Sequence, residues 1–418
     1  MYLIIAIWGG SDRDHASLRF ILYTLAGSVL LLVAVIAFGI GCGTFSIPEL
    51  MTRHFSLPFQ RWTFLVMALA FAVKVPMFPF HTWLPGAYSQ APTAGSILLS
   101  CVLAKMGAYG FLRFALPLTP DASVTFAPLM IALSIASILY GGLMALGQSH
   151  IKKLIAYASV AHMGFVTLGI FLFNSQGTQG AVLQMVNHGV TSGMLFMLAG
   201  ILHARTHSYE LSHNMGLGKI IPAFMGFWGL AAFSGFAFPG TNTFVGEFLI
   251  FTGAFKRSLW IGFLMVPGAL IAAAYCLRIT QHMAWGGANP VEKLRDLMIR
   301  EWACLLPMAL LIIYMGLAPG KCLEIIDRPV KQTLEHIRHS SSPQTSFFSR
   351  RDAETLRKSY INAFYASDHT SIHGTLTELQ QTKDPGSFRN TRCASASLRD
   401  IILSPLEIGS HQSEGRTP

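Results

Sequence analysis

The chain runs to 418 residues, of which 52% are hydrophobic and only 12% charged, about half the charged share of an ordinary soluble domain. That much apolar surface exceeds what one soluble core encloses, since cores stop growing at about 250–300 residues, and the bilayer is the solvent that fits it. The net charge of +10 does not mark a nucleic-acid binder, because the basic residues lie in connecting segments and the tail rather than on one face.

The short apolar start, Tyr2 to Trp8, is too brief to span and lacks the features of a signal peptide. It reads as the last turns of a helix that begins upstream, followed by a cytoplasmic loop that completes a segment 1–17. A helix crossing about 30 Å of hydrocarbon takes about 20 apolar residues. Nine such stretches follow, near 18–41, 61–91, 94–115, 124–147, 151–173, 179–203, 220–255, 258–282 and 300–318. Two are overlong. Residues 220–255 would make a helix of about 54 Å, and Pro239-Gly240 lies near the middle; residues 61–91 contain Pro76, Pro79 and Pro85. Proline removes a backbone donor and bends the chain, so both are expected to be broken helices. They are the second and seventh spans, and paired interruptions five spans apart are the mark of an inverted-repeat transporter working at its breaks.

Loop charges set the orientation. One side holds Arg13, Arg19, Lys152, Lys153, Arg205, Lys219, Arg278, Lys293, Arg295 and Arg300, and is read as cytoplasmic. The other holds Arg53, Arg61, Arg113, Lys256 and Arg257. After Pro319 the character changes, and residues 338–418 have the Ser-rich, charged composition of a disordered tail, with a short amphipathic helix possible over Arg351–Ala366.

Ionisable residues at membrane depth are costly, about 2.5–3.5 kcal/mol each on insertion scales, and default to functional hypotheses. Lys105 is at the midpoint of its span. Lys74 precedes the Val75-Pro76 break, Glu247 follows the Pro239-Gly240 break, and His162 and His188 are central to theirs. Burial favours the neutral form of lysine and glutamate, and histidine exchanges protons near neutrality, so the five residues suit a proton relay. A metal site fits less well: lysine is a poor ligand, and there is no HExxH. Cysteines 42, 101, 276, 304, 322 and 393 form no CxxC pair, and neither GxGxxG after a strand nor a P-loop is present.

Several motifs carry a resemblance. Lys74-Val-Pro-Met-Phe-Pro-Phe-His-Thr-Trp-Leu-Pro, Ser89-Gln-Ala-Pro-Thr-Ala-Gly-Ser, Lys105-Met-Gly-Ala-Tyr-Gly, Ile151-Lys-Lys-Leu-Ile-Ala-Tyr-Ala-Ser-Val-Ala-His-Met-Gly-Phe and Pro239-Gly-Thr-Asn-Thr-Phe-Val-Gly-Glu-Phe closely resemble the antiporter-like membrane subunits of respiratory complex I, over residues 1 to about 335. The resemblance implies an all-α fold of fourteen helices with two inverted repeats. This chain would hold helices six to fourteen, with the rest of the first repeat at 18–115, the second at 124–282 and a last helix at 300–318. It also implies roles: Lys74 as the proton-loading lysine, Lys105, His162 and His188 as the central axis, and Glu247 as the terminal proton site, where related chains are expected to carry lysine. Its partners would be the other membrane-arm subunits of complex I; NADH, FMN, iron–sulfur clusters and quinone would belong to partner subunits, with this chain binding no cofactor, in a bacterial inner membrane.

Three departures accompany it. The family's glutamate partner for Lys74 would lie just before Met1; Trp83-Leu-Pro-Gly-Ala-Tyr88 replaces the usual Trp-Leu-Pro-Asp-Ala-His; and the tail matches nothing familiar. Two other readings use the same residues: a cation/proton antiporter or membrane hydrogenase subunit, told apart by sodium-stimulated exchange without NADH, and a remnant that serves assembly alone.

Overall fold

A computed structural model describes residues 1–287 and 294–341. Lys293, Cys393, the tail from 342 onward and the helix expected over Arg351–Ala366 lie outside the described residues. The elements in order are α1 (Tyr2–Trp8), α2 (Arg13–Cys42), α3 (Ile47–Met51), α4 (Leu57–Lys74), α5 (Leu84–Gln90), α6 (Thr93–Leu118), α7 (Pro120–Leu146), α8 (Ile151–Phe171), α9 (Ser175–Thr206), α10 (Pro222–Gly235), α11 (Asn242–Arg257), α12 (Leu259–Trp285), α13 (Ile299–Leu317) and α14 (Gly320–Ser341). Among the described residues, seven helices are long and apolar enough to cross a membrane: α2, α6, α7, α8, α9, α12 and α13. The other two expected spans are divided between α4 and α5 and between α10 and α11.

The breaks fall at the prolines because the freed backbone groups find other partners. At the first, Trp83 Nε1 donates to Val73 O (2.9 Å) and the Phe78 amide donates to Ser137 Oγ on α7 (2.8 Å). At the second, Gly240 takes φ +94°, a left-handed conformation open to glycine.

Packing sorts the helices. Almost all of the central window of α8 is buried, 94%, against 17% for α2 and 22% for α13. On α2, Leu18, Leu22, Leu25, Val29 and Leu32 are exposed at helical spacing, the stripe a lipid-facing helix presents. Around α8 the chain uses glycine for close approach. A Cβ on Gly180 of α9 would lie 2.8 Å from Gly246 O and Ile250 N of α11, so these two helices meet backbone to backbone. Residues 36–59, the far end of α2 with α3 and the first turn of α4, cluster separately around Phe38, Phe55 and Phe59, with ring centroids 5.1–5.4 Å apart.

One expectation needs correction, and one helix has no counterpart in the sequence reading. Lys152 is not a loop charge: it sits in the first turn of α8 with 1% of its surface exposed. The chain also stays helical after Pro319. α14 lays Leu323, Ile326, Val330, Leu334 and Ile337, spaced three or four apart, as its more buried face, and packs on α9, α7 and the end of α6. Gln179 Nε2 donates to Asp327 Oδ1 (2.7 Å), and His336 Nε2 lies 3.0 Å from Pro117 O. Pro329 and the charges at 321, 324, 328 and 331 mask this face in the sequence.

Candidate proton-relay site

Lys105 sits on α6 between two π turns, Leu99–Leu103 and Phe111–Ala115, a rare distortion that is frequent at functional sites. Its ammonium donates to Ser100 O and lies 2.6 Å from His188 Nδ1 on α9. The serines on either side secure this contact: Ser100 Oγ donates to Ser192 Oγ (2.6 Å), and Ser192 Oγ bonds to His188 O.

The second pair lies alongside. His162 Nδ1 on α8 is 2.9 Å from Glu247 Oε1 on α11, with the two side chains 7% and 4% exposed. Gln184 Nε2 donates to the same oxygen (3.1 Å), and the Tyr275 hydroxyl on α12 lies 3.3 Å from His162 Nε2. The imidazoles of His162 and His188 are 5.4 Å apart, centre to centre. Half-buried Lys105 and buried His188, His162 and Glu247 therefore form one series across four helices, each neighbour within bonding range except the two rings.

Next to this series, the second break is held by polar side chains. Asn187 Nδ2 donates to Asn242 O (2.7 Å) and Asn242 Nδ2 to Asn187 O (3.2 Å), while Ser234 Oγ donates to Asn242 Oδ1 (2.6 Å). Gln184 Oε1 and Asn187 Oδ1 are buried without a partner among the described residues. Buried acceptors of this kind usually bind water. A cavity of about 30 Å³ adjoins the rings, its wall largely apolar, with Leu154, Ile155 and Trp228 beside Ser159, His162, His188, Thr191, Ser192 and Tyr275.

Lys74 stands apart. It closes α4 half-buried, and makes no hydrogen bond or ion pair among the described residues. Its helix end rests on the Lys105 helix: a Cβ on Gly107 would lie 2.8 Å from Phe71 O and 2.9 Å from Val75 N. Of the five residues named from the sequence, the structure brings four together and leaves Lys74 one helix away. Sequence reading missed Tyr275, Ser100, Ser192, Gln184 and the Asn187–Asn242 pair. A signal for some of them was present, since Gln184, His188 and Ser192 recur every fourth residue, with Asn187 and Thr191 beside them, as a polar face on a membrane-spanning helix.

Residues 1–272 match the family described as NADH:quinone oxidoreductase/Mrp antiporter, TM. The NADH-quinone oxidoreductase subunit M of Rhodobacter capsulatus is 41% identical over 351 residues, covering 80% of this chain and 69% of that one. The NADH-ubiquinone oxidoreductase chain 4 of Chondrus crispus is 39% identical over 343 residues, 81% of this chain and 70% of its own. Among solved structures, a chain of respiratory complex I from Thermus thermophilus with bound NADH superposes with a TM-score of 0.77 at 32% identity, over 80% of this chain and 72% of that one. A chain of the Mrp complex from Dietzia sp. DQ12-45-1b gives 0.72 at 19% identity, over 79% and 71%, a likeness of fold.

Proposed function

The chain belongs to the NADH:quinone oxidoreductase/Mrp antiporter membrane family, and on that footing we infer that it is the proton-translocating subunit M of an NADH:quinone oxidoreductase. In this reading it is a multi-pass component of the membrane arm, works in a bacterial plasma membrane, and is driven by quinone reduction in partner subunits. The observation that carries the reading is the series Lys105–His188 (2.6 Å) and His162–Glu247 (2.9 Å), joined by two rings 5.4 Å apart.

The chemistry is proton transfer alone. An ammonium on Lys105 donates to His188 Nδ1; the His188 ring releases its other proton towards His162, directly or through one water; and His162 passes a proton from Nδ1 to the Glu247 carboxylate. The tautomer of each ring decides which nitrogen gives and which receives. With the Tyr275 hydroxyl donating to Nε2, His162 keeps its proton on Nδ1, facing Glu247. Lys74, at the end of its half-helix, is the loading group that answers to charge arriving from the neighbouring subunit.

Magnitudes support coupling by charge. Two unit charges 4 Å apart at an effective dielectric of 20 interact by about 4 kcal/mol, whereas moving one charge against 100 mV takes about 2.3 kcal/mol. Adding or removing one proton in the series is therefore enough to drive its neighbour against the membrane potential. In this reading redox chemistry belongs to partner subunits.

The test is proton uptake by inverted vesicles carrying the assembled complex. Glu247→Gln and Lys105→Ala are expected to slow NADH-driven uptake at least about tenfold, equivalent to ~1.4 kcal/mol of barrier, with the complex present at normal levels. Normal uptake in either variant would overturn the relay, and sodium-stimulated exchange without NADH would favour the antiporter reading.

A further inference from the structure

Lys152 is a buried cation that the relay does not use. Its side chain is 1% exposed, and its amine has one hydrogen-bond acceptor, Ala91 O at 2.7 Å, where α5 gives way to α6. The amine also lies over the ring of Tyr209, 4.7 Å from the centroid. Among the described residues the ion pairs are His162–Glu247, Arg205–Glu301 and Lys331–Asp327, so Lys152 has no carboxylate partner there. At the second position of α8 it also faces the positive end of the helix dipole. A permanent charge is poorly served by such a site, since buried charges are normally paired.

Its register is informative. Lys152, Ile155, Ser159 and His162 share one face of α8 at steps of three and four, and the last three line the cavity beside the relay. Lys152 therefore heads that face, about 15 Å along the axis from His162, at the end read as cytoplasmic. On its other side, exposure rises step by step. Tyr209 is half-buried and stacks on half-buried His203, with centroids 4.1 Å apart and planes 9° apart. His203 is 6.4 Å from the ring of exposed His207. The other ionisable groups nearby are His150, whose ring is 5.4 Å from Tyr209, and Lys153 and Glu210, which act on His150. The run from His207 to Lys152 passes from solvent to interior and ends at the head of the cavity face.

We propose that Lys152 is a further proton-binding residue of the translocation reaction, taking protons from the cytoplasmic side past His203 and Tyr209 and releasing them to water in the cavity that leads to His162. The step is balanced: the neutral amine takes one proton from cytoplasmic water to become an ammonium, then gives one proton up to cavity water, and only N–H and O–H bonds change. The inference rests on the relay reading. Its competitor is a fixed cation that pins α8 to the Ala91 carbonyl.

Arginine separates the two, because it keeps the charge and the donors but does not release a proton. In vesicles carrying the whole complex, Lys152→Arg and Lys152→Met are expected to slow NADH-driven proton uptake at least tenfold. Lys152→His, which still exchanges a proton, is expected to recover uptake at acidic pH with its profile displaced towards acid. Normal uptake in Lys152→Arg, or a Lys152→His profile that coincides with that of the unaltered protein, would overturn the proposal. Should these variants not accumulate, His203→Phe keeps a ring on Tyr209 and leaves the lysine in place; a several-fold loss of uptake supports the path, and unchanged uptake overturns it. Lys105→Ala is measured alongside. Normal uptake in that variant sinks the relay itself, whereas failure confined to the Lys152 series sinks only the present proposal.

Discussion

At the scale of single residues, the imidazole of His162 is held from both sides, by Glu247 at Nδ1 and Tyr275 at Nε2. The Tyr275→Phe change deletes one hydrogen bond worth about 1 kcal/mol. Proton uptake is expected to slow by roughly fivefold or less, with no loss of assembled protein; a hundredfold loss would show that the hydroxyl itself carries the proton. Histidines and lone charges in apolar spans are conspicuous in a sequence, which is why Lys105, His162, His188 and Glu247 were legible there. Tyr275 was not, since tyrosine is common in membrane helices and nothing about its neighbours separates it from packing. Lys152 misled for a different reason: next to Lys153 and just after a loop, it has the local sequence of a topology signal, and only the arrival of Tyr209 and Ala91 from distant segments encloses it.

At the scale of elements, the breaks between α4 and α5 and between α10 and α11 were readable because prolines, with Gly240 at the second, interrupt runs too long for a bilayer. The π turns around Lys105 carry no sequence mark; the first lies where α6 meets α9. Glycine contacts make the element scale testable. Gly180→Val places new atoms against the α11 backbone, which has no side chain to yield, and is expected to destabilise the fold by about 3 kcal/mol or more. Gly226→Ala meets open space, and a helical glycine-to-alanine change there is expected to stabilise by up to about 1 kcal/mol. Thermal unfolding of the purified protein checks both. The start of α8 adds a pH dependence. His150 caps it by accepting from the Lys153 amide (3.4 Å), and burial holds the imidazole below its ordinary value of 6.5, with Glu210 opposing the shift. Because the folded value is the lower one, the unfolded chain protonates first. The cap therefore contributes stability above about pH 6.5 that is lost as pH falls through the folded value. Amide exchange at Ile151–Lys153, corrected for intrinsic rates, is expected to accelerate there, and to lose that dependence in His150→Asn, whose side chain caps without titrating.

Across the whole molecule, α14 runs over the ends of α9 and α7, and its attachment rests on a narrow apolar face. Ile337, 3% exposed, changed to Asp would bury an unpaired carboxylate at a cost of several kcal/mol, more than one turn of such a helix gains; limited proteolysis is expected to cut the variant between α13 and α14 and to spare that junction in the unaltered protein. The contrast between α8 and α2 reaches further. A helix walled in by other helices has no side on which lipid forgives a change of shape, while one that touches its neighbours along a single edge is constrained along that edge alone. An exhaustive substitution scan scored by growth on respiration should then be steep on every face of α8, polar and apolar positions alike, and nearly flat over five-sixths of α2 so long as greasiness is kept.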